Sequence, residues 1–305
     1  MAPDFGEGWI SSPIERWIAL LLKSGILFWL GGVIAWLYHT GKNWAFVWHG
    51  LTSNIKPIEI LLLIFILLMV LAMIAGILKR FDRVVIRFLE GYYWSGWRAK
   101  LLKSLQNWQI ARIEARFQTL ALKYHKGLPP LTPKEQAEYA RLDWQRMLIP
   151  SEEAQRMPTR LGNLLRALEL RPQEKYGLDI FVCWPRLWLV LPDNVKKEII
   201  IARDNLDTTA RIWMWGLLFL VWTPITAWVI PISIIVMFLA YHWMLQAAST
   251  YGQLIESSFD LYRAELYQAL RWPLPNNPAE ERKQSEQLTA YLWRGSDSDK
   301  PEFRA

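Results

Sequence analysis

The chain has 305 residues, with 35 Lys and Arg against 28 Asp and Glu, and 52% of its residues are hydrophobic. Charge-free apolar runs alternate with strongly charged stretches, which is typical of integral membrane proteins with soluble parts and excludes an ordinary soluble domain. The single cysteine, Cys183, excludes an intrachain disulfide and a multi-cysteine metal site. The 19 tryptophans suit side chains that lie at a membrane–water interface.

The N-terminal part predicts a transmembrane hairpin over residues 1–78. Residues 12–15, Ser-Pro-Ile-Glu, have the pattern of a helix-capping box, and the apolar helix that they open is predicted to run to about Tyr38. No basic residue precedes this run, which argues against a cleaved signal peptide. The second apolar run, 58–78, is long enough to cross a bilayer and stops at Lys79.

A second hairpin is predicted over residues 212–251. No charged residue lies between Arg211 and Glu256, and one helix of that length would be about twice as long as the bilayer is thick. Two prolines near the centre favour two spans, about 212–229 and 231–251, joined by a tight turn. The alternative is a re-entrant hairpin that never reaches the far side.

The distribution of Lys and Arg predicts the orientation. Residues 79–126 carry eleven Lys and Arg against three Asp and Glu, whereas residues 39–57 carry only two lysines. The basic segment is therefore expected in the cytoplasm, together with both termini. The prediction is an all-α, multi-pass protein of the bacterial inner membrane with two transmembrane hairpins, about four spans. A basic helical cytoplasmic domain over 79–211 separates the hairpins, and a cytoplasmic helix and tail follow over 252–305.

The basic stretch after the second span is rich in aromatic residues. This combination predicts a helix or helix pair, bent at Gly96, that lies along anionic headgroups. A basic aromatic stripe can also bind nucleic acid, but its position against a span favours lipid, and no nucleic-acid partner is expected. The residues predicted to contact the lipid interface are Lys79, Arg80, Arg83, Arg87, Tyr92, Tyr93, Trp94 and Trp97.

Two later segments, 195–213 and 251–269, place apolar or small side chains at alternating spacings of four and three. Two helices that leave the membrane as neighbours can pair through such seams as an antiparallel stalk. Alternatively, each seam packs on the rest of the cytoplasmic domain. The pattern alone leaves both arrangements open.

Residues 158–191 read PTRLGNLLRALELRPQEKYGLDIFVCWPRLWLVL. A helix is predicted to begin after Thr159 and to end at Pro172, followed by a turn at Gly177. Pro185 is predicted to break the apolar run that comes next. This segment would connect the cytoplasmic domain to the second hairpin.

The apolar run 180–191 is too short to cross a membrane. At about 1.5 Å per residue it reaches roughly 18 Å, against about 30 Å of hydrocarbon. In one placement it is a bent wedge in the inner leaflet, with Trp184 and Trp188 at headgroup level and Arg186 on phosphate.

In the other placement, which we favour, the run is the buried centre of the cytoplasmic domain, with Arg186 paired to Asp179 or Glu169. In either placement, the run 180–191 can couple the cytoplasmic domain to the predicted span at about 212–229. The residues predicted to form this coupling element are Trp184, Pro185 and Trp188.

The same segment carries PTRLGN, LRA, YGLD and WPRL in that order. It resembles a segment shared by a group of bacterial membrane proteins of unassigned function, and this resemblance implies no activity or ligand. The order of two hairpins around a helical domain is also similar to bestrophin-type anion channels, although their loop motifs are absent and the likeness is at fold level. The resemblance singles out Pro158, Arg160, Gly162, Asn163, Arg166, Tyr176, Asp179, Trp184, Pro185 and Arg186.

The sequence contains no motif for catalysis. The four histidines lack metal-ligand spacing, and there is no phosphate-binding loop or nucleophile motif, so no catalytic residue, metal or cofactor is predicted. One polar cluster could bind a ligand or a headgroup, although a role in bracing the domain is favoured. Its residues are Arg160, Asn163, Arg166, Asp179 and Arg186.

These features favour a non-enzymatic sensor, scaffold or effector that acts through its cytoplasmic domain, as a homo-oligomer or with a protein partner. The alternative is an oligomeric ion channel or pore gated by that domain. A polar face for such a pore would come from Thr223, Thr226, Ser233 and Ser249. A membrane-bound enzyme acting on lipid is the third class, and the lack of catalytic residues counts against it.

Overall fold

The computed structural model describes residues 26–41, 80–126, 130–296 and 302–303, with single positions at 45, 49, 56, 58, 59, 61, 62, 66, 76 and 77. Its regular elements are helical throughout this part of the chain, which confirms the predicted all-α class. The helices are α1 (Ile26–Thr40), α2 (Asp82–Glu90), α3 (Gly96–Lys126), α4 (Pro133–Met147), α5 (Arg160–Tyr176), α6 (Ile180–Val190), α7 (Asp193–Phe219), α8 (Val229–Ala269) and α9 (Pro278–Arg294).

The chain divides into two compact units. The first unit comprises 1–85 and 207–243, and the second comprises 86–206 and 244–305. Helices α7 and α8 each contribute residues to both units. The predicted capping box at 12–15 and most of the predicted span at 58–78 lie outside the described residues.

In the first unit, α1 packs on the hairpin between α7 and α8 through aromatic rings. The ring of Phe28 lies 5.3 Å from that of Trp215 and 5.7 Å from that of Trp222. A Cβ at Gly31 would lie 2.4 Å from Cε2 of Phe219, and one at Gly216 would lie 3.0 Å from Cγ of Met237. Glycine therefore allows close helix contacts, as is common between apolar helices in membranes.

Within the described residues, one helix, α8, is long and apolar enough to cross a membrane. Helix α7 ends at Phe219 and a 3₁₀ turn follows over Leu220–Trp222, so the connection to α8 lies earlier than the predicted turn between residues 229 and 231. Pro231 lies in the first turn of α8 rather than at a break. Backbone N–H groups in a first turn have no intrahelical acceptor, so proline costs no hydrogen bond there.

In the second unit, α3 and α4 form an antiparallel pair held by ion pairs. Arg116 contacts Glu138 at 2.8 Å, and Lys123 contacts Glu135 at 2.7 Å. Thr132 caps α4, because its hydroxyl accepts from the N–H of Glu135 while the Glu135 carboxylate accepts from the N–H of Thr132. Leu120, Leu131 and Leu142 are buried between the two helices.

The basic aromatic segment is a pair of helices rather than one helix bent at Gly96. Helix α2 ends at Glu90, and Gly91 follows with a φ of +100°. Helix α3 begins at Gly96, which has a φ of +70°. Left-handed conformations at both ends of the connection suit glycine, which has no Cβ to clash.

Two prolines predicted to end or break helices lie inside them. Helix α5 runs past Pro172 and ends at Gly177, which has a φ of +78°, so the predicted turn there is confirmed and the predicted end at Pro172 is wrong. Helix α6 likewise continues through Pro185. Each proline removes one backbone hydrogen bond. Tertiary packing offsets that loss, since Pro172 itself and Leu187, two residues beyond Pro185, are fully buried.

The main core of the second unit includes one face of α6. Val182, Cys183 and Leu187 from α6 are buried against residues of α7, α8 and α9. Ile199 and Ile255, from the two predicted seams, belong to the same cluster. One face of the apolar run therefore lies in the core of this unit, whereas Phe181 and Leu189 on the run are 63% and 77% exposed. Residues of both seams pack into the same core.

Candidate functional site

Local capping fixes the start of α6. The Asp179 carboxylate accepts hydrogen bonds from the N–H groups of Phe181 at 2.8 Å and Val182 at 3.1 Å, which makes it the N-cap. The N–H of Asp179 in turn donates to Oγ1 of Thr289 on α9 at 3.3 Å. These bonds hold the tight connection between α5 and α6 against α9.

A cavity of about 320 Å³ lies in the second unit, where α5, α6, α7 and α8 meet the end of α2. It is in the size range of small-molecule sites, and it combines apolar walls with a few polar groups, as such sites do. Its lining residues are Glu90, Leu165, Leu168, Glu169, Ile180, Phe181, Trp184, Pro185, Arg203, Tyr251, Gly252 and Ile255.

Two glutamates from different helices face this cavity. Burial, reinforced by the nearby Glu169 carboxylate, raises the pKa of Glu90 from 4.5 to about 7, while Arg87 and Arg203 oppose the shift. Burial also raises the pKa of Glu169, against the hydrogen bond from Arg166 at 3.2 Å. A carboxyl group that titrates near neutrality inside a cavity is a frequent property of functional sites.

Cationic and aromatic side chains complete the polar part of the cavity. The guanidinium carbon of Arg203 lies 5.6 Å from the centre of the Tyr251 ring. Trp184 stands between the rings of Trp188 and Phe259, at 5.8 and 6.0 Å. The titratable groups among the described lining residues are Glu90, Glu169, Arg203 and Tyr251.

Close backbone contacts set the position of Glu90. A Cβ at Gly162 would lie 2.2 Å from the carbonyl oxygen of Glu90, so only glycine lets α5 approach the end of α2 this closely. The hydroxyl of Thr159 donates to the same oxygen at 3.0 Å while it caps α5, as predicted. Gly252 plays a similar part on α8, because a Cβ there would lie 1.9 Å from Cδ1 of Leu168.

Three of the polar residues singled out from the sequence, Asn163, Arg166 and Asp179, contact other parts of the domain or of their own helices. Asn163 is buried and accepts from the N–H of Met157 at 2.7 Å. Arg166 pairs with Glu169 on its own helix, and Asp179 caps α6. Arg160 is exposed.

Arg186 has a different partner from those predicted. Its guanidinium donates to the carbonyl oxygen of Val182 at 2.5 Å, one turn back on α6. The predicted partners are engaged elsewhere, since Asp179 accepts from backbone N–H groups and Glu169 from Arg166. Of the predicted coupling residues, Trp184 and Pro185 line the cavity, and Trp188 packs against Trp184.

The predicted lipid-interface residues are mostly exposed. Lys79 lies outside the described residues, and Trp94 is half-buried with its ring 5.6 Å from that of Phe88. Tyr92 lies close to the glutamates, since burial and then Glu169 and Glu90 raise its pKa. The exposed members are Arg80, Arg83, Arg87, Tyr92, Tyr93 and Trp97.

Three of the titratable lining residues were not predicted as site residues, namely Glu90, Arg203 and Tyr251. Glu90 carried a signal, because it is the only acidic residue between Asp82 and Glu114 in a strongly basic stretch. Arg203 carried none, since charged residues are common on such helices, and Tyr251 was predicted only as the first position of the seam over 251–269. Only the packing of α7 and α8 on α5 and α6 places them in one cavity.

Among the described residues, no group of three or more His, Cys, Asp or Glu is placed to hold a metal ion. The chain matches no family model, no curated protein and no solved structure. The geometry of the cavity is therefore the basis for the function proposed below.

Proposed function

We propose that this chain is a non-enzymatic, multi-pass membrane protein that senses a signal through its helical cytoplasmic domain. The cavity that contains Glu90 and Glu169 receives the signal. The observation that carries the proposal is the presence of these two half-buried carboxyl groups from separate helices in one cavity beside Arg203. Binding of a ligand, or of a proton, changes the charge balance at this point.

The apolar part of the chain supports the membrane component of the proposal. Helix α8 has the length and composition of a membrane span. Many of its apolar side chains are exposed, Phe238 by 71%, as expected of a surface that faces lipid. We extend this to four spans in two hairpins, with both termini in the cytoplasm, on the hydropathy and the Lys and Arg distribution of the sequence.

The route for the signal is the pair of long helices that line the cavity. Arg203 lies on α7 and Tyr251 lies on α8, and each of these helices also contributes residues to the first unit. A helix transmits a shift or rotation along its axis because its backbone hydrogen bonds are continuous. A change of charge at Glu90 therefore has two rigid elements through which to act.

Hydrogen exchange on the purified, detergent-solubilised full chain tests the proposal. Exchange is compared at pH 6 and pH 8 after correction for the intrinsic pH dependence of exchange. We expect protection of residues 207–219 and 229–243 to differ between the two conditions. The difference is expected to disappear in the double variant Glu90→Gln, Glu169→Gln, which cannot change charge.

Glu265→Gln is the matched control, because Glu265 is an exposed glutamate on α8 outside the cavity. This variant is expected to keep the full wild-type response. If the double variant still shows the pH response, this cavity is excluded as the sensor. The cavity is also excluded if the wild-type chain shows no response in any segment outside it.

A gated oligomeric channel is the second candidate. The observation that favours it is the hydroxyl of Ser233 on α8, which is buried without a hydrogen-bond partner among the described residues. Ion and dye flux through liposomes that contain the chain, with the oligomer mass measured on the same sample, tests this. Flux that Ser233→Ala alters would favour the channel, and tight liposomes at both pH 6 and pH 8 would favour the sensor.

A further inference from the structure

A second cavity, of about 720 Å³, lies in the second unit between the first turns of α3 and the segment that precedes α5. We call it the basic groove. It shares no lining residue with the glutamate cavity. Its lining residues are Lys100, Lys103, Ser104, Asn107, Trp108, Ala111, Glu153 and Arg156.

The charge of the basic groove comes from two separate parts of the chain. Lys100 and Lys103 are three residues apart on α3 and therefore lie on one face of it. Arg156 joins them from beyond the 3₁₀ turn Glu153–Gln155. Three cations thus line the groove against one carboxylate, Glu153, which accepts a hydrogen bond from Nδ2 of Asn107 at 2.8 Å.

Arg156 brings a guanidinium group to the lining of the groove. Its Nε is buried and has no hydrogen-bond partner among the described residues. The buried Nε is closed to solvent, so an anion in the groove would meet the rest of the guanidinium group. Arginine is also the side chain best shaped to bind phosphate oxygens, because its donors form a rigid planar fork.

We propose that the basic groove binds a phosphate group, with Arg156 donating to its oxygens and Lys100 and Lys103 balancing its charge. Trp108, which is 58% exposed, supplies an apolar wall for the part of the ligand that carries the phosphate. The phosphate can belong to a lipid headgroup or to a small soluble molecule, and both present the same chemistry to these residues.

Two binding measurements on the full chain in neutral detergent separate these sources. Native mass spectrometry follows retention of dioleoyl-phosphatidylglycerol against dioleoyl-phosphatidylcholine. Titration calorimetry measures binding of glycerol 3-phosphate and inorganic phosphate. A preference for the anionic lipid without binding of the soluble phosphates assigns a lipid headgroup, and binding of the soluble phosphates at comparable affinity assigns a soluble ligand.

Variants test the residues. Arg156→Gln and Lys103→Gln are each expected to weaken binding of the preferred probe by roughly fivefold, as expected for one cation beside an anionic group. Lys134→Gln removes an exposed lysine outside the groove and should leave binding unchanged. Glu153→Gln should strengthen binding, because it removes the one carboxylate of the groove.

Arg156→Gln is expected to weaken binding and Glu153→Gln to strengthen it. A general loss of folding would not produce both results. The proposal would be overturned if Arg156→Gln and Lys103→Gln each bound every probe as tightly as the wild-type chain does. The absence of binding of all four probes to the wild-type chain would also overturn it.

Discussion

The Cα of Gly162 lies so close to the carbonyl group of Glu90 that a Cβ would come within 2.2 Å of its oxygen. We expect Gly162→Ala to destabilise the second unit by about 3 kcal/mol, at the upper end of overpacking costs, because the obstacle is backbone rather than a mobile side chain. Thermal unfolding in detergent, followed by circular dichroism, measures this change.

Gly76→Ala is the control for that experiment. Among the described residues, a Cβ at Gly76 meets nothing within 4 Å, so alanine should leave the melting temperature unchanged or raise it slightly. Equal melting temperatures for Gly162→Ala and the wild type would contradict the close contact between α5 and the end of α2.

Stability should depend on pH through Glu90. Its pKa is about 7 in the folded chain and 4.5 for the unperturbed group, so folding favours the protonated form. The contribution of Glu90 to stability is complete below about pH 4.5 and is lost as the pH rises through 7. Glu90→Gln cannot lose a proton, so it should match the wild type near pH 5 and exceed its melting temperature at pH 8.

Melting curves at pH 5, 6, 7 and 8 check this prediction. Glu265→Gln, on the exposed side of α8, should follow the wild type at every pH. A constant difference between the wild type and Glu90→Gln across the series would mean that Glu90 does not titrate in this window.

Arg211 and Asp82 form a buried ion pair in the first unit, with Nε of Arg211 3.0 Å from Oδ2 of Asp82. Removal of either partner leaves a buried charge, so Arg211→Ala and Asp82→Ala should each destabilise by about 3 kcal/mol. The double variant should lose much less than the sum of the two. Additive losses in this double-mutant cycle would show that the two charges do not depend on each other.

The thiol of Cys183 should be unreactive in the folded chain. It is fully buried in α6, and burial raises its pKa to about 11, so little thiolate exists at pH 8. We expect its reaction with N-ethylmaleimide to be at least about a hundredfold slower in the folded chain than in denaturant.

The matched control places a cysteine on the exposed face of the same helix. Leu189 is 77% exposed, so Leu189→Cys in a Cys183→Ser background should react rapidly in the folded chain. Rapid labelling of the native Cys183 would show that α6 opens readily from the core.

Local patterns in the sequence correctly predicted the helical class and several helix ends. The cap at Thr159 and the left-handed Gly177 follow from the hydrogen-bonding and steric properties of those residues alone. Sequence signals fail at Pro172 and Pro185, because proline disfavours a helix interior but does not forbid it. Burial of their neighbours by distant helices decides the outcome.

At the candidate site, too, some features follow from local sequence and others from tertiary packing. The sequence by itself determined that the run 180–191 is apolar and too short to cross a membrane, since these properties depend on adjacent residues. Only the tertiary structure brought Glu90, Glu169 and Arg203 into one cavity and placed Arg186 on its own helix instead of on an acid. Such contacts join residues far apart in the chain, and their formation depends on how whole helices pack, which no local pattern encodes.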